Sequence, residues 1–146
     1  MARAQAAEDK FLESSLLTGQ RKRTYKDIDI RLAIRQSGDV FKKTDAEAVK
    51  QAVKNLVMTN RFEKPFLPNF GGDVRSMLFE LADEETADDI EQQILSSISR
   101  YEPRAQVINV EAILKEEFNS LSVKITFRVI STNEVVTIEQ FIQRLR

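Results

Sequence analysis

The chain has 146 residues, and its 22 Lys plus Arg against 23 Asp plus Glu give a formal charge of -1. A balance this close to neutral supplies no overall field for nucleic acid or for an anionic membrane. The chain contains no His and no Cys, which excludes imidazole bases, thiol nucleophiles and zinc sites built from those ligands. Composition leaves carboxylate chemistry, binding of hard cations and protein recognition open, and we expect no cofactor.

The sequence divides into an N-terminal arm, residues 1–24, and one domain, residues 25–146. The arm can form a short helix with Phe11, Leu12 and Leu16 near one face, followed by a glycine and a basic cluster. We interpret that cluster as a solvated linker, with docking on an acidic partner as the alternative, because three charges are too few to indicate nucleic-acid binding. No apolar run approaches the roughly 18 residues of a membrane span, so we expect no membrane contact.

The domain begins with alternating apolar and polar residues. Ile28, Ile30, Leu32 and Ile34 recur at every second position, which is the period of an extended segment with one face buried. We therefore expect a half-buried strand here.

A helical pattern follows the alternating segment. Thr44 and Glu47 form a capping-box pattern, and the apolar residues after them recur on one face of a helix. The pattern predicts a helix over residues 45–59.

The next segment, residues 60–72, is rich in special residues: it holds two of the three prolines, two of the four glycines and three of the nine Phe. Proline fixes φ and restricts the residue before it, so we expect a stiff, non-helical loop. Such a loop normally packs its rings into the core. The alternative is that Pro65, Phe66 and Phe70 form part of a partner surface.

Two more helices are predicted, one capped by Asp73 and one that starts at Thr86. The second must end near Tyr101 because Pro103 cannot continue it. Six carboxylates in residues 83–91 match the positive end of its dipole. A cation site is the weaker interpretation, since the spacing of a calcium loop is absent.

The remainder of the chain has the pattern of β-structure. Residues 107–114, 121–129 and 134–142 read as three strands separated by turns. We predict an antiparallel meander with helices on one face, an α+β domain. The last strand would leave unpaired backbone groups at a sheet edge. The residues alone favour local closure of the sheet, with addition to a neighbour's sheet as the alternative.

Four motifs, in this order, carry a resemblance to a known family. They are Asn55-Leu56-Val57-Met58-Thr59, Glu63-Lys64-Pro65-Phe66 with Pro68 and Phe70-Gly71, Leu78-Phe79-Glu80, and Tyr101-Glu102-Pro103-Arg104. Over about residues 25–145 the chain resembles the baseplate wedge proteins of contractile-tailed phages. That family has relatives in type VI secretion baseplates and has at times carried a lysozyme label.

The resemblance implies a structural subunit of the virion tail baseplate, present in several copies and assembled in the host cytoplasm. Its partners would be the other baseplate wedge proteins, whose helical core bundle it docks on, and the tail sheath protein, whose polymerisation it initiates. A type VI secretion baseplate subunit is the alternative within the same family.

The resemblance also implies which residues make contacts. In such proteins a Glu-Pro-Arg element touches the wedge core bundle, and here it corresponds to Glu102, Pro103 and Arg104. Without the resemblance we would interpret Glu102 and Arg104 as satisfying the helix-to-strand junction internally. The last strand of these proteins joins a sheet with the first sheath ring, which favours strand exchange over local closure. The residues that would carry this role are Val136, Ile138 and Phe141.

A cell-wall glycosidase is the alternative from another class. It would need two carboxyl groups roughly 5 to 9.5 Å apart, one of them a proton donor, and Glu102 is a poor donor because Arg104 lies two residues away. The chain has no Trp and only two Tyr, so it lacks much of the aromatic surface on which sugars stack. We therefore predict no catalytic residues and no metal site, and we regard a generic cellular adaptor as a further, weaker alternative.

Overall fold

The computed structural model describes residues 24–80, 83–115 and 120–143. The predicted N-terminal helix around Leu12 and the basic cluster after it lie outside these residues. In chain order the elements are β1 (Lys26–Ile28), β2 (Lys42–Thr44), α1 (Asp45–Met58), α2 (Val74–Met77), α3 (Glu84–Tyr101), β3 (Ala105–Lys115), β4 (Ser120–Val129) and β5 (Val135–Gln143). The predicted α+β class is confirmed.

The C-terminal strands form the predicted antiparallel meander, in the order β3-β4-β5. In the centre of the sheet Ile125 pairs with Val110 on one side and with Ile138 on the other. A bulge interrupts β3 between Val107 and Asn109. Alternate residues of β4 point to one face and are fully buried, because the helices cover that face.

The core lies between this face of the sheet and two helices. Helix α1 contributes residues at helical spacing, such as Val49, Val53 and Leu56, and α3 contributes Ile90 and Ile94. The spacing places each set on one stripe of its helix, so both helices bury a continuous apolar face. The predicted helix over residues 45–59 is confirmed to within one residue.

The helix starts differ from the predicted caps. Thr44 occupies the cap position of α1, but its side chain makes no capping hydrogen bond. The adjacent Asp45 ties the helix to the preceding strand: the Tyr25 amide donates to Asp45 Oδ1 at 3.2 Å, and the Asp45 amide donates to the Tyr25 carbonyl at 2.7 Å. The capping-box prediction is therefore wrong, because a tertiary contact replaces the local one.

Helix α3 begins earlier than predicted. Asp83 caps it, accepting a hydrogen bond from the Thr86 amide at 2.8 Å, so Thr86 is a buried residue of the first turn and the prediction that it starts the helix is wrong. The predicted end at Tyr101 is confirmed. Asp73 precedes a helix of only four residues and makes no capping hydrogen bond, contrary to the prediction.

Only the start of the alternating segment is a strand: β1 pairs with β2 in a two-stranded hairpin, and beyond it the chain turns at Ile30 and Leu32 has φ +51°. The row of Ile28, Ile30, Leu32 and Ile34 is 54 to 72% exposed, so the prediction of a half-buried strand is wrong. The hairpin is held to α1 by Gln51, whose Nε2 donates to the Ile28 carbonyl at 2.8 Å. Helix α1 thus positions the hairpin without covering the row.

Candidate interaction surface

The Glu-Pro-Arg corner joins α3 to β3. Glu102 ends the helix, its amide donating to the Ile98 carbonyl at 2.9 Å, and its side chain is buried. Arg104 donates from Nε and from Nη2 to the two carboxylate oxygens of Glu102, each at 2.6 Å. This bidentate bond, together with the Glu102 charge, raises the pKa of Arg104 against a smaller opposing effect of burial. The Arg104 guanidinium also lies over the Tyr25 ring, 5.4 Å from its centroid.

The geometry of the corner limits what a partner can touch. Both oxygens of Glu102 are occupied by Arg104, so within this chain the pair satisfies the junction internally, as one of the two interpretations held. Pro103 between them is exposed, and 30% of the Arg104 side chain is accessible. The corner therefore presents a rigid proline and one side of a guanidinium to a partner. The buried Glu102 carboxylate holds the guanidinium in place.

A groove of about 580 Å³ runs beside this corner, between the second half of α3 and the start of β3. Pro103 lines it together with the apolar side chains of Leu95, Val107 and Ile130. Leu95 and Ile130 are both exposed. Neither residue was predicted from the sequence. For Leu95 a signal was present, because this large apolar residue lies off the apolar stripe of α3 and so on the outer side of the helix.

The loop of residues 60–72 divides its aromatic rings between the body and the solvent. Phe70 is half-buried and packs on Tyr101, with ring centroids 5.1 Å apart, and the Lys64 ammonium lies 4.0 Å from the Phe70 ring centroid. Phe66 follows the exposed Pro65 and is 99% exposed. The expectation that the rings pack into the core is right in part for Phe70 and wrong for Phe66, which has no place in the core.

Gly71 fixes the base of this loop against α3 and the residue that ends α1. Gly71 has φ +120°, and a Cβ at that position would lie 2.3 Å from the Thr59 carbonyl oxygen. The Gly71 carbonyl accepts a hydrogen bond from the buried Ser97 hydroxyl at 2.9 Å. Close backbone approach and a positive φ both require glycine here. The backbone at the end of the loop is therefore fixed relative to the helices.

Strand β5 closes the sheet locally. It pairs with β4 along its whole length, and Ile138 and Ile142 are buried in the core while Val136 is half-buried. Phe141 points to the opposite face of the sheet and is 62% exposed. The groups that β5 can offer a partner are thus its backbone and its outer-face side chains.

The hydrogen bonds of β3 reveal which backbone groups of β5 are free. The Ala112 amide donates to Glu91 Oε1 of α3 at 2.8 Å, so the backbone of Ala112 faces away from β4. In an antiparallel sheet the backbone groups of paired residues both face each other or both face outward. Val123, the partner of Ala112, therefore directs its backbone toward β5, where it pairs with Gln140.

Alternation then assigns the rest of β5. If Gln140 bonds β4, the backbone groups of Thr137, Glu139 and Phe141 point to the open edge. The Glu139 carbonyl accepts a hydrogen bond from the Gln140 side-chain amide at 2.6 Å, which agrees with this assignment. The β3 edge is tied to α3 by Glu91, whereas the described residues include no strand paired with the outer edge of β5.

Two acidic residues at the cap and in the first half of α3, Asp83 and Glu91, have structural roles. The Thr86 hydrogen bonds lower the pKa of Asp83, and Glu91 holds β3. Within residues 24–80, 83–115 and 120–143, no three acidic side chains lie close enough together to hold a metal ion. In the same residues no helix combines the length and apolar character that crossing a membrane requires.

Comparison with known proteins identifies the family. The family model described as baseplate wedge protein gp25 matches residues 43–134. Baseplate wedge protein gp25 of Enterobacteria phage T4 is 33% identical over 106 residues, which cover 73% of this chain and 80% of that protein. The chain belongs to the gp25 family of baseplate wedge proteins, and this membership places it in the tail baseplate of a virion.

Solved structures share the fold at lower identity. A chain of the anti-feeding prophage baseplate, solved by cryo-EM with sixfold symmetry, is 20% identical with a TM-score of 0.58, and the match covers 81% of this chain and 84% of that one. A protein of Geobacter sulfurreducens provisionally named a tail lysozyme is 24% identical with a TM-score of 0.61, over 68% and 91% of the two chains.

Proposed function

We propose that the protein is a structural, non-enzymatic subunit, present in several copies, that links the core bundle of the baseplate wedge to the first ring of the contractile sheath. The observation that carries this proposal is the open edge of β5 in a chain of the gp25 family. The opposite edge of the same sheet is occupied by α3 through Glu91, so strand addition is directed to one side. The Glu-Pro-Arg corner lies at the junction of α3 and β3, away from the open edge, which lets two partners bind at once.

The corner and the groove beside it supply the docking surface for a helix of the wedge core bundle. Arg104 is held in place by Glu102 and loses little freedom on binding. Its guanidinium can donate to helix-end carbonyls or to a carboxylate of the partner. Leu95 and Ile130 extend the surface with apolar area that fits the apolar face of an amphipathic helix.

Testing the corner requires a variant that does not leave a buried carboxylate without a partner, since that alone would destabilise the fold. The double variant Glu102→Gln with Arg104→Ala removes both charges. We expect it to fold, as measured by circular dichroism and urea unfolding, and to bind purified wedge core complex about tenfold or more weakly. Leu95→Gln should also weaken binding, whereas Arg100→Ala, an exposed arginine one turn earlier, should not. Unchanged affinity of both test variants would refute docking through the corner.

Strand β5 recruits the sheath by adding its open edge to a sheet with a strand of the sheath protein. Ile138 and Ile142 are core residues, so β5 cannot leave β4 without exposing the core. Exchange is therefore an addition at the edge, in which the amides of Thr137, Glu139 and Phe141 pair with the incoming strand.

Proline substitution tests the edge without removing the strand. Deleting residues 134–146 would also remove part of the core, whereas proline is tolerated at edge positions whose amide faces solvent. We expect Glu139→Pro to fold and to form wedges that fail to nucleate sheath, as counted by electron microscopy of assembled tails. Glu139→Ala, which keeps the amide, is the matched control and should assemble normally. Sheath of normal length on Glu139→Pro particles would exclude strand addition at this edge.

The non-enzymatic part of the proposal rests on the state of Glu102. A glycosidase needs a carboxyl group that can give up a proton to the sugar, and both oxygens of Glu102 are bonded to Arg104. We expect no turnover of purified peptidoglycan by the protein. Turnover that Glu102→Gln abolishes in a folded protein would overturn this part of the proposal and leave the assembly role open to its own tests.

A further inference from the structure

The tip of the loop of residues 60–72 is an unusual turn. The Leu67 amide donates to the Lys64 carbonyl at 3.3 Å, with Pro65 as the first central residue and Phe66 as the second. Phe66 has φ +65°, as a type II turn requires at that position, where glycine or asparagine is the normal occupant. Phe62 in the same loop also has a positive φ, +64°, and is exposed.

The chain gains nothing from a phenylalanine at this position. A left-handed backbone is unfavourable for a residue with a bulky side chain, and the ring of Phe66 is almost wholly in water. Neither the conformation nor the exposed ring is compensated by a contact within the body. Strain of this kind persists where the surroundings impose it, and it is concentrated at binding sites.

Hydrogen bonds and packing contacts hold the backbone of the loop that carries the ring. The Phe62 amide donates to the Pro68 carbonyl at 2.9 Å, and the Phe70 amide donates to the Leu67 carbonyl at 3.0 Å. Phe70 packs on Tyr101, and Gly71 anchors the end of the loop through Ser97. Because the backbone is already ordered, only the rotamer of the Phe66 side chain has to be fixed when the ring enters a pocket.

The charge around the tip indicates the chemistry of the pocket. The loop carries two basic residues, Arg61 and Lys64, and one acidic residue, Glu63, whose carboxylate accepts a hydrogen bond from the Asn60 amide at 2.8 Å. Lys64 is next to the tip in the chain and is exposed. The apolar tip therefore has the cationic side chain of Lys64 beside it, which favours a pocket with carboxylates at its mouth.

We propose that Phe66 inserts into an apolar pocket with carboxylates at its mouth on another protein subunit of the baseplate. This inference rests on the proposed baseplate role and adds a third contact, separate from the Glu-Pro-Arg corner and the β5 edge. An aromatic ring that fills a desolvated pocket is the usual form of an interface hot spot.

Substitution of Phe66 should reduce assembly into tails without reducing the stability of the isolated protein. Phe66→Asn suits the left-handed backbone, and Phe66→Ala keeps the strain but removes the ring. We expect the isolated Asn variant to melt at or above the wild-type temperature and the Ala variant to melt within about 2 °C of it, because the ring makes no contact in the body. Both should enter assembled tails about tenfold less than wild type in competition. A clear fall in melting temperature for the Asn variant would assign Phe66 a role in folding and overturn the proposal.

Crosslinking identifies the pocket. We would place the photoreactive residue p-benzoylphenylalanine at position 66 in tails, with position 54 on the exposed side of α1 as the control site. We expect position 66 to crosslink to apolar residues of a different baseplate subunit, and position 54 to give no such product. The proposal would be rejected if position 66 crosslinks only to a second copy of this chain or to nothing, and if Phe66→Ala is also taken up normally. Absence of the wild-type chain from tails would instead reject the baseplate role.

Discussion

Strand β4 and the N-terminal hairpin have the same sequence pattern and opposite environments. In both, aliphatic residues alternate with polar ones, yet Ile125 and its neighbours on one face of β4 are 0% exposed while Ile30 and its neighbours in the hairpin are more than half exposed. Strand β4 lies between two strands and under two helices, whereas β1 has one short partner strand and the side of α1. A period of two therefore guarantees neither continuous extended backbone, since Leu32 has φ +51°, nor burial, which depends on what covers the segment.

The largest expected effect sharpens this comparison with one aromatic residue from each region. Phe127→Ala in β4 removes a ring with no exposed surface and should lower the free energy of unfolding by about 3–5 kcal/mol. Phe41→Ala in the hairpin removes a ring that is 43% exposed and covered only on one side by Arg35, so we expect about 1 kcal/mol or less. Urea unfolding of the two variants measures both. Equal losses would mean that the hairpin belongs to the core.

Glycine substitutions test the same contrast through the backbone. Gly71→Ala places a Cβ 2.3 Å from the Thr59 carbonyl oxygen at φ +120°, and we expect a loss of roughly 3 kcal/mol or more. Gly38→Ala in the hairpin turn meets no atom within 4 Å at φ +81°, so only the left-handed backbone opposes it, at about 1–2 kcal/mol. Thermal unfolding of both variants shows which substitution causes the larger loss of stability. A smaller loss for Gly71→Ala would show that the loop base can move.

The elements with strong local signals were predictable from sequence. Helical spacing located α1, Pro103 located the end of α3, and alternation with turns located the three strands of the meander. Each depends on neighbours in the chain or on a covalent restriction of the backbone.

The remaining features depend on which of several locally possible arrangements the folded chain adopts. The predicted start of α3 was Thr86, whereas in the folded chain Asp83 caps the helix by accepting from the Thr86 amide. The pairing of Glu102 with Arg104 was one of two open interpretations, and the sequence could not decide between them because either is compatible with a rigid corner. The exposure of Phe66 depends on how the loop leaves its glycine base, which is a property of tertiary packing.

The smallest expected effect compares a carboxylate in each region. The Val40 amide at 2.8 Å and then Lys42 lower the pKa of Asp39 in the hairpin, and the Thr86 hydrogen bonds lower that of Asp83 at the start of α3. A carboxyl group with a lowered folded pKa adds stability above its unfolded pKa of about 3.9, and this contribution is lost as pH falls through the folded pKa. Acid should therefore weaken both regions below about pH 4.

The consequences of protonation should differ, because α3 carries core residues and the hairpin turn does not. Protonating Asp83 should loosen the first turn of α3 and reduce global stability slightly, whereas protonating Asp39 should affect only the hairpin. Amide hydrogen exchange between pH 3 and pH 6 distinguishes the two, with Asp83→Asn and Asp39→Asn as variants whose local exchange should lose its dependence on this titration. A change in global unfolding in Asp39→Asn as large as that in Asp83→Asn would join the hairpin to the cooperative core and end the contrast between the two regions.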